Sequence, residues 1–239
     1  MLDNMKKKIS LMFPTFEYEQ SVAVQDRIAV GVDEAGRGPL AGPVVAAAAW
    51  YRLTPLVFPV GEDRYTRLIR DSKTLSEDQR EEVYQWIIDH FEIGVGIVDA
   101  RTIDRVNILQ ATFLAMREAI AVLAGKRATK EKQETKTMHM LVDGNREIPE
   151  LTFPQEAMVK GDARSVSIAA ASIVAKVTRD RMMHKYDSEY LEYGFARHKG
   201  YGTAAHVEAI RRLGPCPIHR HSFAPVAELS REFARNKES

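Results

Sequence analysis

The sequence predicts an α/β or mixed α+β fold built on one sheet, with a helical C-terminal part. Three observations carry that expectation: five short apolar runs of strand length, a long helical stretch of strong period between the third and fourth of them, and connectors too short to separate several cores. With 239 residues the chain can bury a core without disulfide or metal staples. Its single cysteine, Cys216, excludes an internal disulfide framework and suits a reducing compartment. No run approaches the ~18 apolar residues of a membrane-crossing helix, and the apolar run after Lys6–Lys8 is too short for a signal peptide. A soluble cytoplasmic protein with no membrane contact is expected.

Taken in order, residues 1–26 read as an irregular arm. Residues 28–32 (IAVGV) end abruptly at Asp33 and read as a buried strand, and residues 44–50 (VVAAAAW) as a second. A proline-containing loop covers 53–70. Ser76-Glu77-Asp78-Gln79 has the pattern of a capping box and opens a helix to about His90. Residues 91–98 (FEIGVGIV) form a strand with alternating glycines. From 104 to 124, Val106, Leu109, Phe113, Met116, Ile120 and Leu123 recur on one helical face. Residues 125–137 are charged and read as a solvated connector or a frayed extension of that helix. Residues 138–142 and a short stretch at 157–159 are the last strands. A long helix covers 164 to about 190, an aromatic and basic loop 193–202, a short helix 203–213, and the tail after Phe223 is helical and peripheral.

The two strands at 28–32 and 138–142 each end in an acid, giving Asp33-Glu34 and Asp143, and the strand near 157–159 leads to Asp162. Ligands of α/β sheets gather beyond the carboxyl ends of strands. Carboxylates placed there suit Mg²⁺ or Mn²⁺, which take oxygen ligands. Two such ions about 4 Å apart can activate water and stabilise the leaving oxygen of a phosphodiester. Neighbours on a strand point to opposite faces, so Asp33 and Glu34 can share a site only if the strand ends or twists there. The Ala35-Gly36-Arg37-Gly38-Pro39 run is expected to end it. Gly36 and Gly38 allow close backbone approach to a sugar or phosphate, and Arg37 between them can pair with a phosphate. Alone the run is a weak signal; it is neither a dinucleotide fingerprint nor a phosphate loop.

The formal net charge is +1, but residues 160–239 carry 14 Lys and Arg against 9 Asp and Glu, a local +5 with five of the seven histidines. The rest of the chain is therefore −4. Two bound divalent ions would bring the total near +5, and nucleic-acid binding is then expected to weaken with salt.

Asp33-Glu34-Ala35-Gly36-Arg37-Gly38-Pro39 resembles the signature of ribonuclease HII, the type 2 ribonuclease H family of bacterial type. Further blocks follow in family order: Asp71-Ser72-Lys73, Asn107-Ile108-Leu109, Val142-Asp143-Gly144, Lys160-Gly161-Asp162, residues 170–176 (AASIVAK), residues 198–203 (HKGYGT), His219-Arg220 and Ser222-Phe223. The resemblance spans roughly residues 28–225. It implies a ribonuclease H-like fold, with a central mixed sheet of five strands flanked by helices and a helical C-terminal extension. It divides the chain into an arm (1–26), a catalytic domain (27–225) and a tail (226–239).

The resemblance also implies an endonuclease that cuts the RNA of RNA/DNA hybrids and incises duplex DNA on the 5′ side of single ribonucleotides, leaving 3′-hydroxyl and 5′-phosphate ends. Two Mg²⁺ or Mn²⁺ ions are the implied cofactors, held by Asp33, Glu34, Asp143 and Asp162. Gly36, Arg37 and Gly38 would read the 2′-hydroxyl, and Tyr201 would stack on the sugar of the following deoxynucleotide. Lys73, Ser165 and Lys199 are further candidates for phosphate or sugar contact, and a monomer is implied. Read without the family, Tyr201 fits a core tyrosine, Asp180 a structural ion pair between Arg179 and Arg181, and the small residues at 165–175 close helix packing. His198 is a candidate for phosphate contact, His219 and His221 for capping or packing. Rival functions are a non-catalytic nucleic-acid-binding module, which gains nothing from acids near phosphate, and a metal-dependent phosphatase acting on small phosphoesters.

Overall fold

The computed structural model describes residues 13–52, 64–130 and 136–238. Five strands, β1 (Ile28–Ala35), β2 (Val44–Tyr51), β3 (Phe91–Val98), β4 (Met138–Asp143) and β5 (Gln155–Met158), form one sheet in the order β3-β2-β1-β4-β5. β1 and β2 pair antiparallel, as do β2 and β3, whereas β4 runs parallel to both β1 and β5. This is the mixed five-stranded sheet with flanking helices that the resemblance implied.

Strand alternation builds two cores. Val45, Ala47, Ala49 and Tyr51 of β2 face α5 (Val166–Glu189) and α2 (Glu77–His90). Val44, Ala46 and Ala48 face α4 (Ile108–Lys130) on the other side. Small residues let the helices come close. A Cβ on Gly94 or Gly96 of β3 would lie 2.0 or 2.1 Å from a backbone oxygen of α4. Side chains of α4 then reach round the edge of β3: Lys126 Nζ donates to the Ile93 carbonyl (2.8 Å), and Glu118 accepts from the Ile97 N–H (3.0 Å).

Four expectations change. The helix read from 104 to 124 is two helices, α3 (Ala100–Val106) and α4. Asp99 caps the first by accepting from Thr102 N–H (2.8 Å), and Asn107, at φ +67°, breaks the chain and caps the second through Gln110 N–H (3.1 Å). The charged stretch after 125 continues α4 to Lys130, which favours the helical extension; residues 131–135 lie outside the described residues. The arm holds a helix, α1 (Glu17–Ala23), whose Glu19 and Val22 are buried. The tail helix α8 (Val226–Glu238) buries Val226 and Leu229 against Leu40 and Ile210 of α7 (Ala204–Leu213), so its first turns are core.

The stretch Ile108–Ala128 of α4 is long and apolar enough to cross a membrane by length and composition (mean hydropathy 1.4). Packing explains its apolarity, because its inner face is core on β1, β2 and β3.

Candidate active site

The register of β1 on β4 brings the acids together. Val32 stands opposite Val142, so Asp33 and Asp143 follow side by side at the same end of two parallel strands. β1 does not end at Asp33, as the sequence suggested; it stays paired with β2 through Ala35. Parallel pairing with β4 stops at Val32, which opens that edge for the acids. Asp33 then leaves the strand on the side of α5, where the Ser172 hydroxyl lowers its pKa against the burial. Glu34 leaves on the other face; it lines a small cleft with Asp143, Thr112 and Phe113. Asp162 comes from a 3-10 turn, Gly161–Ala163, after β5. That turn is anchored on Asp143, whose Oδ1 accepts from Gly161 N–H at 2.7 Å.

The acids act on one another electrostatically. Burial pushes Asp33 well above the usual carboxylate range, and the charges of Glu34 and Asp143 push it further. Glu34 is raised by burial, with Arg37 opposing. Asp162 is pushed up to about 6 by burial, then by Asp143 and Asp71. Burial alone would lower Lys73, but Asp33, Asp71, Asp162 and Asp143 outweigh it and hold the ammonium above its ordinary value. Lys73 is thus, with Arg37, a cation among the acids.

Among the described residues, no three Asp, Glu, His or Cys side chains are gathered into a ready-made metal cage. The site offers a set of hard oxygens that repel one another, and a divalent cation is the partner that chemistry fits.

The loop 36–43 joins β1 to β2 beside the acids. Gly36 has φ +98°, and a Cβ there would lie 2.2 Å from Arg179 Nε, so the position requires glycine. Arg37 Nη1 is 3.3 Å from Glu34 Oε1 and the side chain is about half exposed. A Cβ on Gly38 would meet the Tyr201 ring at 3.8 Å. Tyr201 is 45% exposed, so it is not the core tyrosine that a reading without the family favoured. Its ring stands free beside the glycine loop.

Other candidates move. Ser165 is fully buried; its hydroxyl donates to Glu19 (2.6 Å) and caps α5 through Ile168 N–H (3.2 Å), which removes it from substrate contact. Lys199 Nζ is spent on the Ala196 carbonyl (2.5 Å), His184 (2.9 Å) and Glu77 (3.2 Å), so it is a structural lysine and not a phosphate contact. His198 is likewise internal, bonded to Tyr193 O and Gly200 N. Asp180 does make an ion pair, with Lys176 (2.7 Å) and Arg80 (3.6 Å) and not with its neighbouring arginines. Sequence reasoning missed Asp71, whose charge helps raise Asp162, and Ser172. Asp71 lies in the same Asp71-Ser72-Lys73 block that singled out Lys73.

Behind Tyr201 two buried histidines hold one proton pattern. Cys216 N–H donates to His219 Nδ1 (2.9 Å), which leaves the proton on Nε2 to donate to His206 Nε2 (3.0 Å). The His206 proton then sits on Nδ1 and donates to the Tyr201 carbonyl (2.9 Å). Burial pulls His206 down to about 4 and His219 down to about 3, with the neighbouring histidines adding to it. In the unfolded chain both titrate near 6.5, so the unfolded state takes up more protons between about 6.5 and 3. Folding stability from this pair is complete above that window and is lost as pH falls through it. The stability advantage of wild type over His219→Gln is therefore expected to shrink from about pH 6.5 towards 3 in urea denaturation. An advantage independent of pH would contradict the neutral pair.

A family model described as Ribonuclease HII matches residues 30–226. The chain is 48% identical to the ribonuclease HII of Geotalea daltonii over 214 residues, covering 89% of this chain and 90% of that one. It is 51% identical to the ribonuclease HII of Geobacter metallireducens over 199 residues, 83% and 84% of the two chains. Among solved structures, the ribonuclease H2 of Pyrococcus horikoshii superposes with a TM-score of 0.62 at 27% identity, over 87% of this chain and 99% of that one. With the acid cluster at the strand ends and the glycine loop beside it, these likenesses agree: the chain belongs to the ribonuclease HII family, hydrolases that cut the RNA of RNA/DNA hybrids.

Proposed function

We propose that this chain also incises duplex DNA on the 5′ side of single embedded ribonucleotides, leaving 3′-hydroxyl and 5′-phosphate ends, with two divalent cations (Mg²⁺ or Mn²⁺) held by Asp33, Glu34, Asp143 and Asp162. One observation carries the reading: the exposed Tyr201 ring abuts Gly38 at the acid end of the sheet. Cations bound there would activate the attacking water and stabilise the leaving oxygen.

The chain's own residues supply selection. The Gly36 and Arg37 carbonyls are turned inward onto Arg220. In a trans peptide the next N–H points the opposite way, so Arg37 and Gly38 present their N–H groups outward. Those donors suit a 2′-hydroxyl, the group that distinguishes RNA from DNA. The flat Tyr201 ring packs on a deoxyribose, where a further hydroxyl would disturb the contact. Two adjacent tests, one for a hydroxyl and one for its absence, define a ribo–deoxyribo junction. Lys73, raised by the surrounding acids, stays cationic for the scissile phosphate.

The deciding experiment is an end-labelled DNA duplex with one ribonucleotide, incubated with and without Mg²⁺. A single cut 5′ of the ribonucleotide only with metal is expected; an uncut duplex would overturn the reading. Cleavage of a generic small phosphoester at a comparable rate would favour a phosphatase. Tyr201→Ala is expected to lower kcat/KM at the junction about tenfold, a lost contact of about 1.4 kcal/mol, with little change in melting temperature. Equal activity would remove Tyr201 from the site.

A further inference from the structure

Two arginines lie fully buried behind the recognition loops, Arg179 in α5 and Arg220 after α7. Neither forms an ion pair with a carboxylate among the described residues; their donors go to backbone carbonyls. Arg220 donates to Gly36 O (2.5 Å), Arg37 O (2.9 Å) and Gly42 O (2.9 and 3.0 Å). Arg179 donates to Pro43 O (2.9 Å) and Ala41 O (3.0 Å) of the same loop, and to Lys199 O (2.9 Å) of the loop that carries Tyr201. Leu40 N–H completes the link by donating to Gly200 O (2.8 Å). Burying a charge is costly unless its hydrogen bonds are made. Burial lowers Arg179 to about 10 and Arg220 to about 9, and both remain charged at neutral pH.

Two buried cations whose donors go to backbone carbonyls are a costly way to fill the interior if packing is their only task. Their geometry does what an apolar pair cannot. Arg220 turns the loop's carbonyls inward and so fixes which way its N–H groups face. Arg179 is a planar fork spanning two separate loops, and it fixes their spacing.

We propose that Arg179 and Arg220 are positioning residues for substrate choice: Arg220 orients the glycine loop, and Arg179 sets the distance from that loop to Tyr201, which determines preference for a ribo–deoxyribo junction over a continuous hybrid. The inference rests on the junction reading above. A continuous hybrid offers the hydroxyl but no deoxyribose for Tyr201, so it depends less on the spacing.

The test compares kcat/KM on a single-ribonucleotide duplex with kcat/KM on a continuous RNA/DNA hybrid for Arg179→Lys. Lysine keeps the charge but has one ammonium in place of a fork. The junction-to-hybrid ratio is expected to fall at least tenfold; a folded variant with a ratio within twofold of wild type overturns the inference. If Arg179→Lys does not fold, Gly200→Ala carries the same test. Gly200 has φ +83°, and its new Cβ would stand 2.5 Å from Ala41 O, one of the carbonyls Arg179 holds, wedging the two loops apart while leaving both arginines in the sequence. An equal loss on both substrates means a merely structural role. Wild-type protein that leaves the single-ribonucleotide duplex intact removes the junction reading and the inference with it. An active wild type with an unchanged variant ratio removes the inference alone.

Discussion

Asp143→Asn is expected to lose cleavage by on the order of a thousandfold or more, about 4 kcal/mol of transition-state stabilisation, while the protein stays folded and binds nucleic acid. The structure separates the two roles of this side chain. Its Oδ1 anchors the turn that carries Asp162 by accepting from Gly161 N–H at 2.7 Å, and an asparagine oxygen can accept the same bond. Its charge raises Asp33, Glu34 and Asp162, and asparagine abolishes that charge. Removing one of several mutually repelling carboxylates relieves the folded state, so a melting temperature equal to or above wild type is expected beside the lost activity. Near-wild-type cleavage with Mg²⁺ would sink the assignment of Asp143. A fall in stability to match the fall in rate would show that its role is structural. Asp33→Asn tests the neighbouring strand in the same way.

The largest effect on folding is expected at Gly31. A Cβ there would stand 2.1 Å from the Ser167 carbonyl carbon and 2.2 Å from the Ile168 nitrogen, both backbone atoms at the start of α5. No rotamer relieves such a clash; α5 must move as a body. Overpacking typically costs about 1–3 kcal/mol and occasionally more, and a contact with backbone on both sides belongs at the top of that range. Gly31→Ala should therefore lose roughly 3 kcal/mol or more in urea denaturation. Activity suffers too, because shifting α5 moves Ser172 relative to Asp33. A denaturation midpoint unchanged from wild type would mean that the helix does not seat on β1 at this glycine.

Much of this was legible in the sequence, for physical reasons. Asp33 and Asp143 stand where the sheet's carboxyl edge opens, and the short apolar runs at 28–32 and 138–142 pointed to both. The capping box of Ser76 forms as the spacing predicts, with Ser76 N donating to Gln79 Oε1 (2.9 Å) and Gln79 N to Ser76 Oγ (3.2 Å). The break at Asn107 was not legible, because the apolar face runs on through it from Val106 to Leu109. The fate of Ser165 and Lys199 was hidden too. Serine and lysine near a motif look like substrate contacts until a distant partner claims them, and Glu19 lies 146 residues from Ser165. Arg179 and Arg220 reach carbonyls 136 to 184 residues away in the loop 36–43. No local pattern marks an arginine for that use.

The outer strand β3 has one further consequence. An edge strand of this length, with two glycines, is a template on which another chain can lay a strand and begin an aggregate. Here Gly94 and Gly96 bring α4 so close that Lys126 and Glu118 close off the Ile93 carbonyl and the Ile97 N–H from the side. An incoming strand would have to strip a charged side chain from each of those groups before it could pair. The glycines that let α4 press against the sheet thus also guard the protein's colloidal stability.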